Sequence, residues 1–522
     1  STQAMFWTVG FLGLALLCAT CGWVAALIRN RATDNPALVT DELQPVPQET
    51  AAPTGGKWWQ WFVLSMTASV MLLATTNQVC QDVAVVPFLW VVPLSLYLLT
   101  FILCFDSERW YSRIGFGLAG AFSAGWAAFL MISPEAFGFF VQIVIYFSAL
   151  FTTGMVCHGE LARLKPEPAR LTGFYLTLAA GGATGGMFVG VVAPLIFPLF
   201  FEMHLALTLC VTLSVGVYFH ETRQRNTVHN FHKIAILCSL VGVIGVVFVL
   251  GKDVRELVGS SSQVERNFYG VIRLKDIDSD NPDLHKKRLL HGRILHGFQF
   301  QSPEKSMWPT TYYGPDSGVG RTFQILHDQR SQLKVGVVGL GTGTLSAYGR
   351  EGDEFRYYEI NEAIVRVATE DFTFVKQSPA KTEIVLGDAR LQLEREDDQK
   401  FDLLILDAFS GDSIPAHLLS AEAMEIYDRH LAPDGVLAIH FSNLHFDLSP
   451  VLVGLADVSH LQSRLTTGRT DLETGQNASQ WFIASRDGAI LQEEAYADLK
   501  WDMPERRILW TDDFSNLFSV LR

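Results

Sequence analysis

Two acids, Asp407 and Asp412, flank Ser410-Gly411 in the segment LDAFSGDSIPAHLL, directly after a run of apolar residues. A carboxylate at the end of a buried strand can close it as a turn. It can also hold a cationic group and take a proton from it, which an ammonium must lose before its nitrogen can act as a nucleophile. Three other stretches bear on the choice. KVGVVGLGTGTLSAYGR reads as a strand, then Gly339, Gly341 and Gly343, then a helix; glycines there let the chain turn sharply and let a ligand approach the amides at the helix start. FRYYEI reads as a second strand closing on Glu359. An acid about 20 residues beyond the glycines can accept hydrogen bonds from both hydroxyls of a ribose. TEIVLGDAR adds a third strand and Asp388, which can accept from the exocyclic amine of an adenine. The loop lacks the third glycine of G-x-G-x-x-G, which favours a nucleoside over a pyrophosphate cofactor.

These residues need a frame. Leu403 to Leu406 supply a fourth strand and GVLAIHFSN a fifth. Strands alternating with helices predict a parallel, doubly wound, Rossmann-like sheet. Ligands of such sheets bind beyond the carboxyl ends of the strands, where Gly341, Glu359, Asp388 and Asp407 all fall. His291, His296 and His440 lie near that edge without metal or triad spacing, so they read as packed or surface histidines and no metal is expected. The tail WTDDFSNLFSVL carries Asp512 and Asp513 beside aromatics, as a lid, an aid in recruiting a cation, or a solvated turn.

At 522 residues the chain suggests roughly three domains. Its hydrophobic content of 49% is concentrated before residue 251. Apolar runs near 5–28, 58–78, 84–105, 114–133, 137–157, 173–193, 201–219 and 234–251 predict about eight membrane helices. No basic segment or clear small-residue cleavage site accompanies 5–28, so it reads as a span rather than a signal peptide. Prolines and scattered acids make 29–57 an irregular loop. Domains are expected at 1–251 (transmembrane), 252–330 (a small β-domain) and 331–522 (the Rossmann-like nucleoside-binding catalytic domain). Pro194 and Pro198 read as a turn between spans, and AAGGATGG (179–186) as helix packing through small residues. Asp82, His158, Glu160, Glu202 and His204 fall at span ends, within reach of water.

All seven cysteines lie in the membrane half, so the soluble half has neither disulfides nor a thiolate zinc site. Cys18 and Cys21 read as small packing residues in an apolar helix. A net charge of −14, almost all from the soluble half, argues against nucleic acid and is compatible with a cationic ligand. Lys and Arg mark cytoplasmic loops. They cluster around 29–57, 109–113, 163–170 and 223–233, whereas the loops near 80–83, 134–136 and 194–203 have none. By parity the soluble half then emerges on the extracytoplasmic face.

The glycine loop, YYEIN, GDAR and LDAFSGDSIP together resemble the class I S-adenosylmethionine (methyltransferase-type) fold. More narrowly they resemble the polyamine aminopropyltransferase (spermidine synthase) family over roughly residues 264–450. ERNFYGVIRL and RLLHGRILHGFQ look like that family's small N-terminal β-domain, with Gln299 matching its strand glutamine. The apolar half is similar to the helical region of membrane-fused spermidine synthase-like proteins of bacteria, implying a multi-pass protein of the inner (plasma) membrane. The resemblance implies transfer of an aminopropyl group from decarboxylated S-adenosylmethionine to a diamine, without a metal. It assigns Gly339, Gly341 and Gly343 to the methionine and sugar, Glu359 to the ribose, Asp388 to the adenine and Asp407 to the general base. It adds Gln299 to the cofactor site, and Tyr312, Tyr313 and Asp412 to the acceptor site. The partners it implies are a polyamine or other cationic small molecule and the lipid bilayer, and it leaves a homodimer open.

Two departures concern the acceptor. Asp412 stands five residues after Asp407, not three, and Tyr312-Tyr313 is followed by Gly314-Pro315 where the family carries an acid. S-adenosylmethionine-dependent methyl transfer, other sulfonium chemistry, or a non-catalytic polyamine or nucleoside sensor or transporter therefore stay open.

Overall fold

The computed structural model describes residues 13, 16, 20, 23, 56–82, 88–133, 136–224, 229–292, 294–409, 414–443, 446–499 and 503–521. The chain forms two compact units, Ser1–Lys57 and Trp58–Arg522, and the second holds both sheets and the helices from Trp58 onward. The span expected at 5–28, with Cys18 and Cys21, lies almost wholly outside the described residues.

Seven helices follow: α1 (Gly56–Asp82), α2 (Phe88–Asp106), α3 (Arg113–Ile132), α4 (Phe139–Arg163), α5 (Leu171–Met187), α6 (Glu202–Gln224) and α7 (His229–Gly259). Five stretches among the described residues are long and apolar enough to cross a membrane: Trp58–Cys80, Arg113–Ile132, Phe140–Arg163, Pro168–Ile196 and Glu202–Arg223. Helix is the form such runs take in lipid, because it satisfies every backbone group internally. Beyond α5 the chain stays helical through a π-turn at Phe188–Val192 and a last turn at Ala193–Ile196. Pro194 therefore lies within helix, and the chain reverses at 197–201 instead.

Small residues set the packing of α1 on α5. Ser65 Oγ donates to the Leu178 carbonyl at 2.6 Å and Ser69 Oγ to Gly182 at 2.9 Å. A Cβ on Gly181 or Gly185 would stand 2.5 or 2.6 Å from a carbonyl oxygen of α1, so this glycine run is a helix seam. Four of the polar residues expected at watery span ends, His158, Glu160, Glu202 and His204, are instead buried and partnered. Glu160 meets Arg113 at 2.6 Å and Tyr111 at 2.9 Å, His204 meets Asp253 at 2.9 Å, and His158 meets Thr100 at 2.9 Å. Away from water, such groups persist only when paired.

Two sheets succeed the helices. The first is an antiparallel meander of β1 (Gln263–Asn267), β2 (Gly270–Ile277), β3 (Lys286–His291) and β4 (Ile294–Phe300). The second contains β5 (Lys334–Val338), β6 (Glu354–Glu359), β7 (Lys381–Leu386), β8 (Phe401–Leu406), β9 (Leu431–His440), β10 (Gln462–Gly468) and β11 (Ser479–Ser485), in the order β10-β11-β9-β8-β5-β6-β7. Only β11 runs against the other six. This is the doubly wound, class I methyltransferase-type sheet expected from the alternation of strands and helices. The closing hairpin β10–β11 is an addition to that expectation.

Its core follows period two. Along β8, Leu403 and Ile405 pack on one face with Phe323 and Ile364, and Leu404 and Leu406 on the other with Met424 and Tyr427. Both faces are covered, which is why the strand reads as continuous apolar sequence. The glycine loop leads into a short 3-10 turn, Thr344–Tyr348, rather than the expected α-helix. Five residues between Gly343 and Gly349 are too few to propagate a helix, so helix-terminal amides play no part at this loop.

Candidate functional site

From β5 the chain passes outward to β6 and β7, then returns to place β8 on the other side of β5. The strand order reverses between β5 and β8, and such switch points are where ligands bind. Gly339 follows β5 and Asp407 follows β8. They touch: Gly339 has φ of +96°, and a Cβ there would stand 2.4 Å from the Asp407 carbonyl oxygen. Glycine is the residue that tolerates both the left-handed backbone and that approach.

The Asp407 side chain is 6% exposed. Oδ1 lies 2.7 Å from His440 Nδ1, and Oδ2 accepts from the Tyr313 hydroxyl. Burial, reinforced by the Asp407 charge, pushes the Tyr313 phenol well above its usual range, so it remains a donor. With Asp407 ionised, His440 Nδ1–H donates to it. His440 Nε2 then accepts from the Ser442 hydroxyl at 2.8 Å, whose oxygen accepts from the Gln480 amide at 2.8 Å. Tyr312 stacks on His440 at 4.3 Å and Trp481 stacks there at 4.8 Å. His440 is thus a partner of Asp407 and not the ordinary packed histidine expected.

Glu359 closes β6 with Oε2 accepting from Leu340 N–H at 3.0 Å and Oε1 from Asn361 N–H at 2.8 Å. Burial raises its pKa, and these backbone bonds oppose the rise. Asp388 caps α9 (Ala389–Arg395) through Leu391 N–H at 2.9 Å, and its other oxygen meets His417 Nε2 at 3.2 Å. That contact with His417 leads the causes that lower its pKa. Arg390 joins the rim, donating to the His417 carbonyl at 2.7 Å and forking onto Asp512 with two 2.6 Å bonds. Asp512 therefore ties the tail down and is not a free cation-recruiting acid.

Gly339, Gly341, Glu359, Asp388, Asp407, Tyr312 and Tyr313 all line one cavity of about 1040 Å³. His291 and His296 line it too. His296 Nε2 is buried without a hydrogen-bond partner, and burial, with His291 and His440 nearby, lowers that imidazole to about 3. Two expected ligand residues are elsewhere. The Gln299 amide is spent on Ser306 and Thr373, with bonds of 2.8, 2.8 and 3.0 Å, tying β4 to the segment after α8 (Glu362–Glu370). It does not line the cavity, and neither does Gly343, whose open side is filled by Val375. Asp412 lies outside the described residues. Among the described residues, no group of three or more His, Cys, Asp or Glu could hold a metal ion.

This site can hold a nucleoside against three strand ends and present a carboxylate, already oriented by two donors, to a cation. Over 106 residues the chain is 32% identical to the polyamine aminopropyltransferase of Vibrio vulnificus, covering 19% of this chain and 35% of that enzyme. The likeness is to a polyamine aminopropyltransferase. The chain thus matches about a third of the length of this relative. Among solved structures, the spermidine synthase of Thermotoga maritima is 15% identical, with 49% of this chain and 82% of that chain covered and a TM-score of 0.32. A spermidine synthase bound to the transition-state analogue AdoDATO is 13% identical, with 49% and 82% covered and a TM-score of 0.30. No family model matches the chain.

Proposed function

We propose that the protein is a membrane-bound aminopropyltransferase. Decarboxylated S-adenosylmethionine is the donor, an amine is the acceptor and Asp407 is the general base. The observation that carries this reading is the placement of Asp407 at the switch point, in one cavity with Gly339, Gly341, Glu359 and Asp388. Glu359 holds the ribose and Asp388 the adenine, each through lone pairs left over from its backbone bonds. The acceptor binds as an ammonium beside Asp407, which removes one proton. The freed nitrogen lone pair attacks the propyl carbon next to the sulfonium. A C–N bond forms as the C–S bond breaks, and its electron pair leaves with sulfur as neutral methylthioadenosine. His440 and Tyr313 keep both carboxylate oxygens directed, and Tyr312 covers His440. The small β-domain closes one side of the cavity, the Rossmann-like domain carries the chemistry, and the helices up to about residue 251 anchor both in the bilayer.

A second reading, methyl transfer from S-adenosylmethionine, is favoured by the acid-free sequence Tyr312-Tyr313-Gly314-Pro315. Supplying purified protein with amines and each sulfonium donor in turn separates the two. Aminopropyl transfer yields methylthioadenosine together with an aminopropylated amine. S-adenosylhomocysteine with a methylated acceptor would replace the first reading by the second.

A further inference from the structure

The cavity at Asp407 does not end at the sheet edge. Its opposite wall is built from the membrane helices: Asn77 and Cys80 of α1, Trp90 of α2, and Gly190, Pro194 and Leu195 of the π-turn and final turn beyond α5. Trp90 is 55% exposed and Leu195 81% exposed. Both sit on helical stretches of apolar composition, the second within a span long enough to cross a bilayer. On this side the cavity is therefore bordered by exposed apolar side chains of the helices. A volume of about 1040 Å³ is at the upper limit of ordinary small-molecule sites, roughly 300–1,000 Å³, which leaves room beside a nucleoside for a second substrate.

The charges in this wall define what that substrate is. The described acids lining the cavity, Glu359, Asp388 and Asp407, all belong to the sheet edge. Among the described residues lining the helix wall there is no acid, and the described acid Glu202 is spent on Arg266. Arg266 is held by Glu202 at 2.7 Å and by the Leu199 carbonyl at 2.9 Å, with its guanidinium 4.1 Å from the Phe200 ring centre. A diamine needs an anionic partner at each end, since a desolvated ammonium without one is costly. A monoamine on an apolar tail needs only one, and the tail gains by leaving water.

We infer that the acceptor is an amine-headed amphiphile drawn from the bilayer, with its nitrogen at Asp407 and its tail passing between Trp90 and Leu195. This rests on the aminopropyl-transfer reading and names its substrate class. The atoms balance as before: the ammonium head gives a proton to Asp407, its nitrogen takes the aminopropyl group, and sulfur leaves as a neutral thioether. The product is a lipid or long-chain amine lengthened by one aminopropyl unit and carrying one further amine.

The test uses the full-length protein in phosphatidylcholine vesicles with decarboxylated S-adenosylmethionine. Separate arms contain phosphatidylethanolamine, dodecylamine or putrescine, and mass spectrometry reads the aminopropylated product. Product from phosphatidylethanolamine identifies a lipid headgroup as the source of the amine, and product from dodecylamine alone identifies a free amphiphile; either supports the inference. Leu195→Asp, which places a charge in the mouth, lowers that product by about tenfold or more. Retained methylthioadenosine binding shows that the variant is folded. Product from putrescine with none from either amphiphile overturns the inference and leaves aminopropyl transfer standing. No aminopropylated product in any arm overturns both. An unchanged rate in Leu195→Asp also overturns the inference.

Discussion

Asp407 meets its donors before any substrate arrives, and single substitutions can separate its role from theirs. Asp407→Asn keeps the shape but cannot take a proton, so turnover falls by about 10²–10⁴-fold, the worth of general-base catalysis, with methylthioadenosine affinity nearly unchanged. His440→Gln acts through Asp407 and should lower kcat more than it raises KM, with a shifted pH profile; a change in KM alone would assign it to substrate binding. His296 offers a pH-dependent test. Its folded pKa is lowered from 6.5 to about 3 by burial, so the unfolded chain binds the extra proton first. Its contribution to stability is present above 6.5 and is lost as pH falls from 6.5 toward 3. His296→Gln should flatten that part of a melting-temperature profile, and an identical slope in the variant would contradict the assignment. The gathering of Asp407, Glu359 and Asp388 at one sheet edge was legible because each stands at or just beyond the end of a strand. His440 was not, because its meeting with Asp407 depends on register: Leu406 pairs with Ile439 in the parallel β8–β9 ladder, which brings the next residues together. Aligning the ends of those two strands was the signal that could have found it. Gln299 misled for the opposite reason, since a strand glutamine carries nothing in its type or spacing to reveal that Thr373 and Ser306 claim its amide.

At the scale of elements, the first five strands of the large sheet were readable from their apolar runs. The hairpin β10–β11 escaped because QSRLTTG and SQWFIAS mix polar and apolar residues. Their burial comes from pairing with β9 and from the Trp481 contacts, which are tertiary. The helix expected after the glycine loop failed on length, being stopped by Gly349. The join between the membrane helices and the soluble half was also hidden, because its partners are 64 residues apart in sequence. Arg266 at the end of β1 reaches Glu202 at the start of α6, with side-chain exposures of 5% and 1%. Removing one member of such a buried pair typically costs about 3–5 kcal/mol, whereas replacing both by apolar residues costs far less. Glu202→Gln should therefore lower the melting temperature in detergent more than the Glu202→Leu/Arg266→Met double variant does. Equal losses would show that the pair is not what joins these elements.

For the whole molecule, the helix ends agree with the charge pattern of the sequence. The ends of α1 and α2 that line the cavity, the reversal at 197–201 and the exit of α7 lie toward the soluble half. Arg109, Arg113, Arg163, Lys165, Arg170 and Arg223 belong to the opposite ends. If basic loops face the cytoplasm, a C-terminal reporter should report the extracytoplasmic side. A cytoplasmic reading would contradict that topology. On either side of the membrane, the chemistry turns on Asp407. The ratio of products tests it when the vesicle-reconstituted protein turns over decarboxylated S-adenosylmethionine with an amine acceptor. One aminopropylated amine should appear for each methylthioadenosine, with both lost together in Asp407→Asn. Methylthioadenosine released without an aminopropylated partner, or equal turnover in Asp407→Asn, would contradict it.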